Sequence, residues 1–578
     1  MIAPQPQTQS HLSLALLELA LTVVVCLAAV LLPRLGNPFF TAVERSLARL
    51  ARRRRLAVAV VGAAGFLLRI AILPIIPVPL PIVPDDFSFL LAADTFAHFR
   101  LANPTPAHWQ FFESIHISLV PTYQSMYFPG QGLMLAAGQI VFGNPWWAVL
   151  ITTALFCAAL CWMLQAWLPA TWAFFGGMLA VLHLGLFSYW GNTFHAGVLI
   201  GFAGALVLGA FPRFLRRHHA RHAWLLALGI SILVLCRPYE GLLLCLPVLA
   251  AFLHHAWRAA AAARRLIALR AALPLALVVA SVGWLGYYDQ QVNGSATTLP
   301  YTLNRAQYAV APYYVWQQAR PEPAYHHATM RDFYVNIELP LHTLMHSPAT
   351  FLPFTLGKFG YTLVFFAGFA LLPPLVMFRR VLKDRRIRFL VVSVALLGAG
   401  MAIEVYLIPH YVAPFTAAFY AIGLQSMRHF RQLRLSGAPV GRTLSRLLVL
   451  VCLVMGGARL AVGPLHIQMV EFPAGAWDFF WYGPGHFGTQ RAQAQATVAA
   501  HPGKQLAIVR YAATHYSMDE WVYNGADLNG CQLLWARSMG PERDRELIAA
   551  YPDRTPWLVE PDNADATVTP YPILKEQP

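Results

Sequence analysis

Uncharged apolar runs recur along this chain, and they restrict its fold more than any other feature. They cover roughly 13–32, 57–80, 146–167, 172–189, 195–212, 223–236, 239–256, 272–288, 355–377, 389–408, 412–426 and 447–463. A helix of about 20 apolar residues crosses the hydrocarbon core of a bilayer. In lipid only helices and closed barrels satisfy their own backbone. The 223–236 and 412–426 runs are short for that task, which is tolerated where protein rather than lipid surrounds them. Of 578 residues, 57% are hydrophobic and only 12% charged, with a mean hydropathy of +0.51; a soluble protein is excluded. The expectation is a polytopic α-helical membrane protein with about 12 transmembrane helices.

The net charge of +16 would suggest a nucleic-acid partner, but its placement argues against one. Basic residues gather in short loops on one side: Arg34, Arg45, Arg49 and Arg52 to Arg55; Arg213 to Arg221; Arg258 to Arg270; Arg379 to Arg388; Arg428 to Arg442. The other side carries Arg100, Arg305, Arg320 and Arg331. Basic loops stay in the cytoplasm, which puts the long loops 84–145 and 289–354 and the C-terminal tail outside. The first apolar run follows a neutral, Gln-rich start without a basic n-region, so it reads as an anchored span rather than a cleaved signal. Cys157 and Cys161 stand one helical turn apart, but no flanking ligand completes a metal set, and no disulfide framework follows from the seven cysteines. The absence of inverted repeats argues against a secondary transporter.

The first outer loop has helical patterning and many aromatics, and amphipathic helices along the membrane interface are expected there. The second carries Tyr301, Tyr308, Tyr313, Tyr314, Trp316, Tyr325 and Tyr334, and reads either as a substrate cover or as an ordinary aromatic belt. Beyond 464 the texture changes: 505–511, 532–536 and 556–560 read as buried strands and 543–551 as a helix, a small α/β domain. Three parts result: an N-terminal helix and basic loop (1–56), a membrane module (57–463) and the outer domain (464–578).

Four constellations face the outer side. Asp85-Asp86 follows directly on an apolar run, where paired carboxylates serve as helix-capping groups, as a proton acceptor, or both. Glu113 and His116 are spaced one helical turn apart, which reads as the polar face of an interfacial helix more readily than as half of a metal site. Arg237-Pro238-Tyr239-Glu240 lies between two apolar runs; Arg237 either pairs with Glu240 or holds phosphate oxygens. His410-Tyr411 stands at another rim, with Glu404 nearby in need of a partner. His410 and Tyr411 read either as ligands for a phosphate or acceptor, or as belt residues. A carboxylate on one wall and a cation on the other suit a donor whose tail stays in the bilayer.

These segments resemble the C-type (GT-C) integral-membrane glycosyltransferases, the superfamily of protein O-mannosyltransferases and lipid A aminoarabinose transferases, in particular bacterial members with a C-terminal periplasmic domain. The resemblance rests on Pro84-Asp85-Asp86-Phe87-Ser88, on Tyr127-Phe128-Pro129-Gly130-Gln131-Gly132, and on the Arg237 and His410 segments. It implies transfer of a sugar from a polyprenyl-phosphate donor to a glycan, lipid or protein acceptor at the outer face of a bacterial inner membrane. Asp85 would be the base or acceptor-orienting group, and Asp86 stands where many relatives carry Glu. Tyr127, Arg237, Tyr239, Glu240, His410 and Tyr411, with Glu113 and His116, would bind substrate. No cofactor is implied, and a divalent metal is left open. One departure stands out: relatives often place Lys or Arg before the Tyr127 position, where this chain has Met126, so Arg237 or His410 would supply the charge, or activity is altered. The alternative function is a non-catalytic binder or transporter of a lipid-linked saccharide.

Overall fold

The computed structural model describes residues 13–81, 83–465, 488–563 and 566–572. The chain begins with α1 (Leu14–Leu31), α2 (Asn37–Arg52) and α3 (Arg54–Ala71). The first long connection holds α4 (Pro84–Ala97), strands β1 (Asn103–Pro104), β2 (Ile117–Ser118) and β3 (Thr122–Ser125), and α5 (Pro129–Phe142). Then come α6 (Trp146–Trp167), α7 (Ala170–Ala180) with a wider π-helical continuation (Val181–Leu186), the single turn α8 (Tyr189–Asn192), α9 (Gly197–Arg217), α10 (Ala220–Cys236), α11 (Pro238–Arg258) and α12 (Ala261–Asn293). The second long connection carries α13 (Pro300–Tyr308), α14 (Ala328–Arg331) and α15 (Leu339–His346). The bundle closes with α16 (Pro348–Ala367), α17 (Phe378–Lys383), α18 (Arg388–Ala402), α19 (Thr416–Phe430) and α20 (Val440–Val462).

Each apolar run of the sequence falls on one of these helices. Among the described residues, seven helices are long and apolar enough to cross a membrane, and three shorter apolar helices accompany them. α9 is the centre, buried along most of its length and packed on α6 and α10. α12 is the opposite case: Leu269, Leu273, Leu275 and Val279 are exposed, which is costly in water and neutral in lipid. The protein is a multi-pass membrane protein. Where a helix stops short of its apolar run, backbone chemistry explains it. The 57–80 run is helical only to Ala71, because Pro74, Pro77 and Pro79 lack the N–H groups a helix needs.

The first connection differs from the amphipathic helices expected of it. α4 is buried on most of its surface, with Phe87, Ser88, Phe89, Leu91 and Ala92 all inside. It lies between α5 and a small antiparallel sheet of order β1-β3-β2. Glu113 and His116 are not on a helix: a single 3-10 turn ends at Phe112, and His116 has a left-handed backbone with φ of 65°.

The C-terminal sheet has the order β5-β4-β6-β7, where β4 is Lys504–Val509, β5 Leu533–Arg537, β6 Arg554–Glu560 and β7 Thr567–Pro570. β4 runs parallel to β5 and β6, and β7 antiparallel to β6. Helices Thr489–Ala499 and Pro541–Ala550 flank it. The expected strands and helix are present; the boundary expected at 464 abuts 466–487, outside the described residues. Leu506, Ile508, Leu534 and Leu558 share one apolar cluster with Leu91, Phe111, Phe112 and Tyr123 of the first connection. The sheet therefore seats directly on the segment that carries Asp85.

Candidate active site

Asp85 and Asp86 occupy the first turn of α4, behind Pro84 at its first position, where negative charge suits the helix dipole. The approach to that turn is held by Arg69, which donates to the carbonyls of Ile76 (2.8 Å) and Pro77 (3.1 Å) and stacks over Trp146. Both carboxylates reach partners beyond their own helix. Asp86 is fully buried and accepts from the Phe194 N–H (3.0 Å) and from His195 Nδ1 (3.1 Å). Asp85 keeps 16% of its side chain exposed. Its Oδ1 accepts from the Tyr127 hydroxyl and lies 4.0 Å from His195 Nε2, while Oδ2 lies 3.4 Å from His116 Nδ1.

One serine assembles this arrangement. Ser88, in the same first turns of α4, donates to the His116 carbonyl (2.7 Å) and shares a hydrogen bond with Ser125 (2.7 Å), whose Oγ accepts from the Tyr127 N–H (3.1 Å). Phe89 stacks on Tyr127 with ring centres 4.2 Å apart. The left-handed His116 backbone is thereby over-determined, as strained residues at functional sites are. Burial alone would raise the Asp85 pKa, but the charge and hydrogen bond of His116, with His195 and Tyr127, hold it well below the usual carboxylate range. Burial works against a protonated His195 as well, yet the Asp86 carboxylate keeps its pKa above the ordinary imidazole value.

The opposite wall is cationic. α5 and the break between α10 and α11 approach so closely that a Cβ on Gly130 would meet Cys236 Sγ and the Leu235 carbonyl. Arg237 sits in that break, 3.1 Å from Glu240 and with its guanidinium 3.8 Å above the Tyr411 ring. Tyr301 of α13 packs edge-on to Tyr127 (5.4 Å) and stands within electrostatic reach of both Asp85 and Arg237. The His410 turn is pressed against α9, where any Cβ on Gly204 would overlap the Pro414 carbonyl. His410 shares a hydrogen bond with the Tyr189 hydroxyl (2.8 Å), and its ring is 5.2 Å from that of His195. Burial, then Arg237 and His195, hold the His410 pKa well below the usual value. That environment favours its neutral form. Tyr239 points aside, donating to the Gly400 carbonyl (3.0 Å) and touching Tyr314.

Asp85, Asp86, His116, Tyr127, Arg237, Glu240, His410 and Tyr411 thus converge, while Glu113 does not. It turns away from Asp85 to accept from Tyr308 (3.0 Å) and to meet His326 Nδ1 (2.9 Å). Sequence reasoning missed His195, which joins the two aspartates; an unremarkable Asn192-Thr193-Phe194-His195 stretch carries no signal for it. It also missed Tyr189, while Tyr301 comes from the second outer loop, where a substrate cover is one of the two readings. Among the described residues, no group of three or more His, Cys, Asp or Glu is placed to hold a metal ion.

No protein-family model matches the chain, and no curated protein does. Among solved structures, the fold is similar to that of ArnT from Cupriavidus metallidurans, in the apo state and bound to undecaprenyl phosphate. Each gives a TM-score of 0.49 and 12% identity, covering 87% of this chain and 92% of that one. It is also similar to the Archaeoglobus fulgidus oligosaccharyltransferase in complex with Zn and sulfate, with a TM-score of 0.44 and 12% identity, covering 87% of this chain and 67% of that one.

Proposed function

We propose that this protein is a membrane glycosyltransferase that moves a sugar from a polyprenyl-phosphate donor to an acceptor hydroxyl or amine. The observation that carries the reading is that an ionised, partly open carboxylate (Asp85) and a buried guanidinium (Arg237) stand on either side of one tyrosine, Tyr301, which is within electrostatic reach of both. In this reading Arg237 binds the donor phosphate, with Tyr411 beneath it and Glu240 holding its orientation. Asp85 accepts a hydrogen bond from the acceptor's O–H or N–H and aims its lone pair at the anomeric carbon. Because its pKa is depressed, Asp85 is a weak base; it orients the nucleophile early and takes the proton as the new bond forms. The acceptor–carbon bond forms as the carbon–oxygen bond to phosphate breaks, and polyprenyl phosphate leaves with the electron pair. Attack from the face opposite the phosphate inverts the anomeric centre.

Asp86 and His195 are positioning residues, His116 and Tyr127 tune the Asp85 carboxylate, and Tyr301 walls the reaction space. In this reading the protein resides in the bacterial inner membrane, with the Asp85 end and the C-terminal sheet on the periplasmic side and the arginine-rich loops in the cytoplasm. The test is a purified sample in lipid nanodiscs given a polyprenyl-phosphate sugar and candidate acceptors. Release of polyprenyl phosphate in step with sugar transfer is expected. Movement of intact donor across vesicles without any change of bond would favour a transporter instead.

A further inference from the structure

The surface of α2 divides into three faces. Toward the protein it turns Asn37, Thr41 and Glu44, and Arg446 of α20 holds all three. Its Nη1 donates to Asn37 (2.7 Å), its Nη2 to Thr41 (3.1 Å), and its Nε and Nη2 to the Glu44 carboxylate (2.9 and 2.8 Å). Arg431, just past α19, adds a further bond to Glu44 (2.8 Å). The second face presents Phe39, Val43 and Leu47, one helical turn apart and 68%, 40% and 47% exposed. The third carries Arg45, Arg49 and Arg52, again about one turn apart and all exposed. With about 3.6 residues per turn, the arginine row lies roughly opposite the apolar row. A helix that packs on a soluble core turns its apolar stripe inward; α2 turns its polar stripe inward and its apolar one out.

We propose that α2 is a docking surface for anionic phospholipid at the arginine-rich end of the bundle. The helix lies in the plane of the bilayer, with Phe39, Val43 and Leu47 among the acyl chains and its arginines among the phosphate headgroups. Charge complementarity is the first support. Glu44 is the only acidic residue of α2, and Arg446 and Arg431 take it up on the protein side, so the outward surface presents cations alone. Arg53, Arg54 and Arg55, all exposed, extend that surface past the end of the helix. Continuity with a membrane-crossing surface is the second. α1 is long and apolar enough to cross a bilayer and exposes Leu27, Val30 and Leu31 toward its end; Leu35 in the connection is exposed as well, and Phe39 follows in α2. An apolar stripe that continues such a helix meets acyl chains before it meets a soluble partner. An apolar row opposite a basic row is also how helices lie in a membrane interface, and the basic row favours anionic lipid. Because Glu44 ties α2 to Arg431 and Arg446, lipid held there steadies the end of α19 and the start of α20. The surface is independent of whatever reaction takes place at Asp85.

The experiment measures, by native mass spectrometry of the full-length protein in detergent, affinity for phosphatidylglycerol and for phosphatidylcholine with the same acyl chains. Wild type is expected to hold phosphatidylglycerol more tightly. A variant combining Arg45→Gln, Arg49→Gln and Arg52→Gln should lose roughly fivefold in phosphatidylglycerol affinity per arginine, the worth of one basic side chain at an anionic surface, with phosphatidylcholine unchanged. A variant combining Arg258→Gln, Arg265→Gln and Arg270→Gln, which removes three exposed arginines elsewhere on the arginine-rich side, should keep the preference. No preference in wild type, or an undiminished one in the α2 arginine variant, overturns the proposal. An equal loss in both arginine variants overturns it too, since the preference then follows total charge rather than α2. If glycerol phosphate, a headgroup without acyl chains, binds as tightly as phosphatidylglycerol, the arginines hold a free anion and the lipid is wrong. If Phe39→Ser, Val43→Ser and Leu47→Ser together leave phosphatidylglycerol affinity unchanged, the apolar row does not sit in lipid and serves a protein partner instead.

Discussion

Asp85 and Glu113 leave the same connecting segment, and each is met by a tyrosine hydroxyl and two histidines. Asp85 has Tyr127, His116 and His195; Glu113 has Tyr308, His326 and His327. The outcomes are opposite. Asp85 keeps part of its side chain open, while the Glu113 side chain is 3% exposed and its own carbonyl is taken by Arg537 Nε of the C-terminal sheet (2.6 Å). Asp85 is held below the usual carboxylate range, whereas burial raises the Glu113 pKa against the pull of His326, Tyr308 and Arg537. The same three residue types thus build a partly open candidate site in one place and a sealed clasp in the other. What separates them is how far the carboxylate is exposed, not its partners.

That contrast is open to attack. The largest effect is expected from Asp85→Asn, which should lower sugar transfer by about 10²–10⁴-fold while donor binding stays near wild type. Glu113→Gln should leave transfer within about threefold, as a residue outside the reacting groups does. A Glu113→Gln protein that folds normally yet transfers no sugar would erase the distinction. Tyr127→Phe comes next: losing the hydroxyl that donates to Asp85 should slow steady-state transfer by about tenfold.

For stability the ranking reverses. Glu113→Ala leaves Tyr308 and His326 without their buried acceptor and should destabilise the protein by about 1–3 kcal/mol, read from thermal unfolding in detergent; Asp85→Asn should change it less. The smallest effect concerns pH. Because the His195 pKa is raised when folded, its pairing with Asp86 contributes stability fully present below the unfolded value of about 6.5 and lost as pH rises through the folded one. Asp85 has the opposite sense: its contribution is present above the ordinary Asp value and lost only in strong acid. Wild type should therefore lose more unfolding temperature than His195→Gln on going from neutral to alkaline pH. Parallel curves for the two proteins would remove His195 from this account.

The C-terminal sheet bears on the same comparison. Phe87, one helical step past Asp86, stacks on Tyr523 (4.7 Å), and Asp94 accepts from the Ala526 N–H (2.7 Å), so the sheet braces the helix that presents Asp85. Its strands were readable because alternation and apolar runs are local properties of the chain. Their docking on α4 was not, since it depends on Phe111, Phe112 and Tyr123, which look like any aromatic loop residues until a partner surface meets them.

Local chemistry accounts for what was legible in advance. Long uncharged stretches can do little in water and so announce a helical bundle in lipid. A carboxylate pair beside a proline-rich exit draws attention to Asp85 as a candidate. Short strands such as β1 and β2 left no trace, because two residues carry no period. His195 and the turning away of Glu113 belong to a different category. Each acquires its place from a neighbour distant along the chain, Asp86 and Tyr308 respectively, and no pattern in the order of residues encodes such meetings. Burial and close packing bring those groups together only once the helices are in place, and the same packing leaves Asp85 partly open while it seals Glu113.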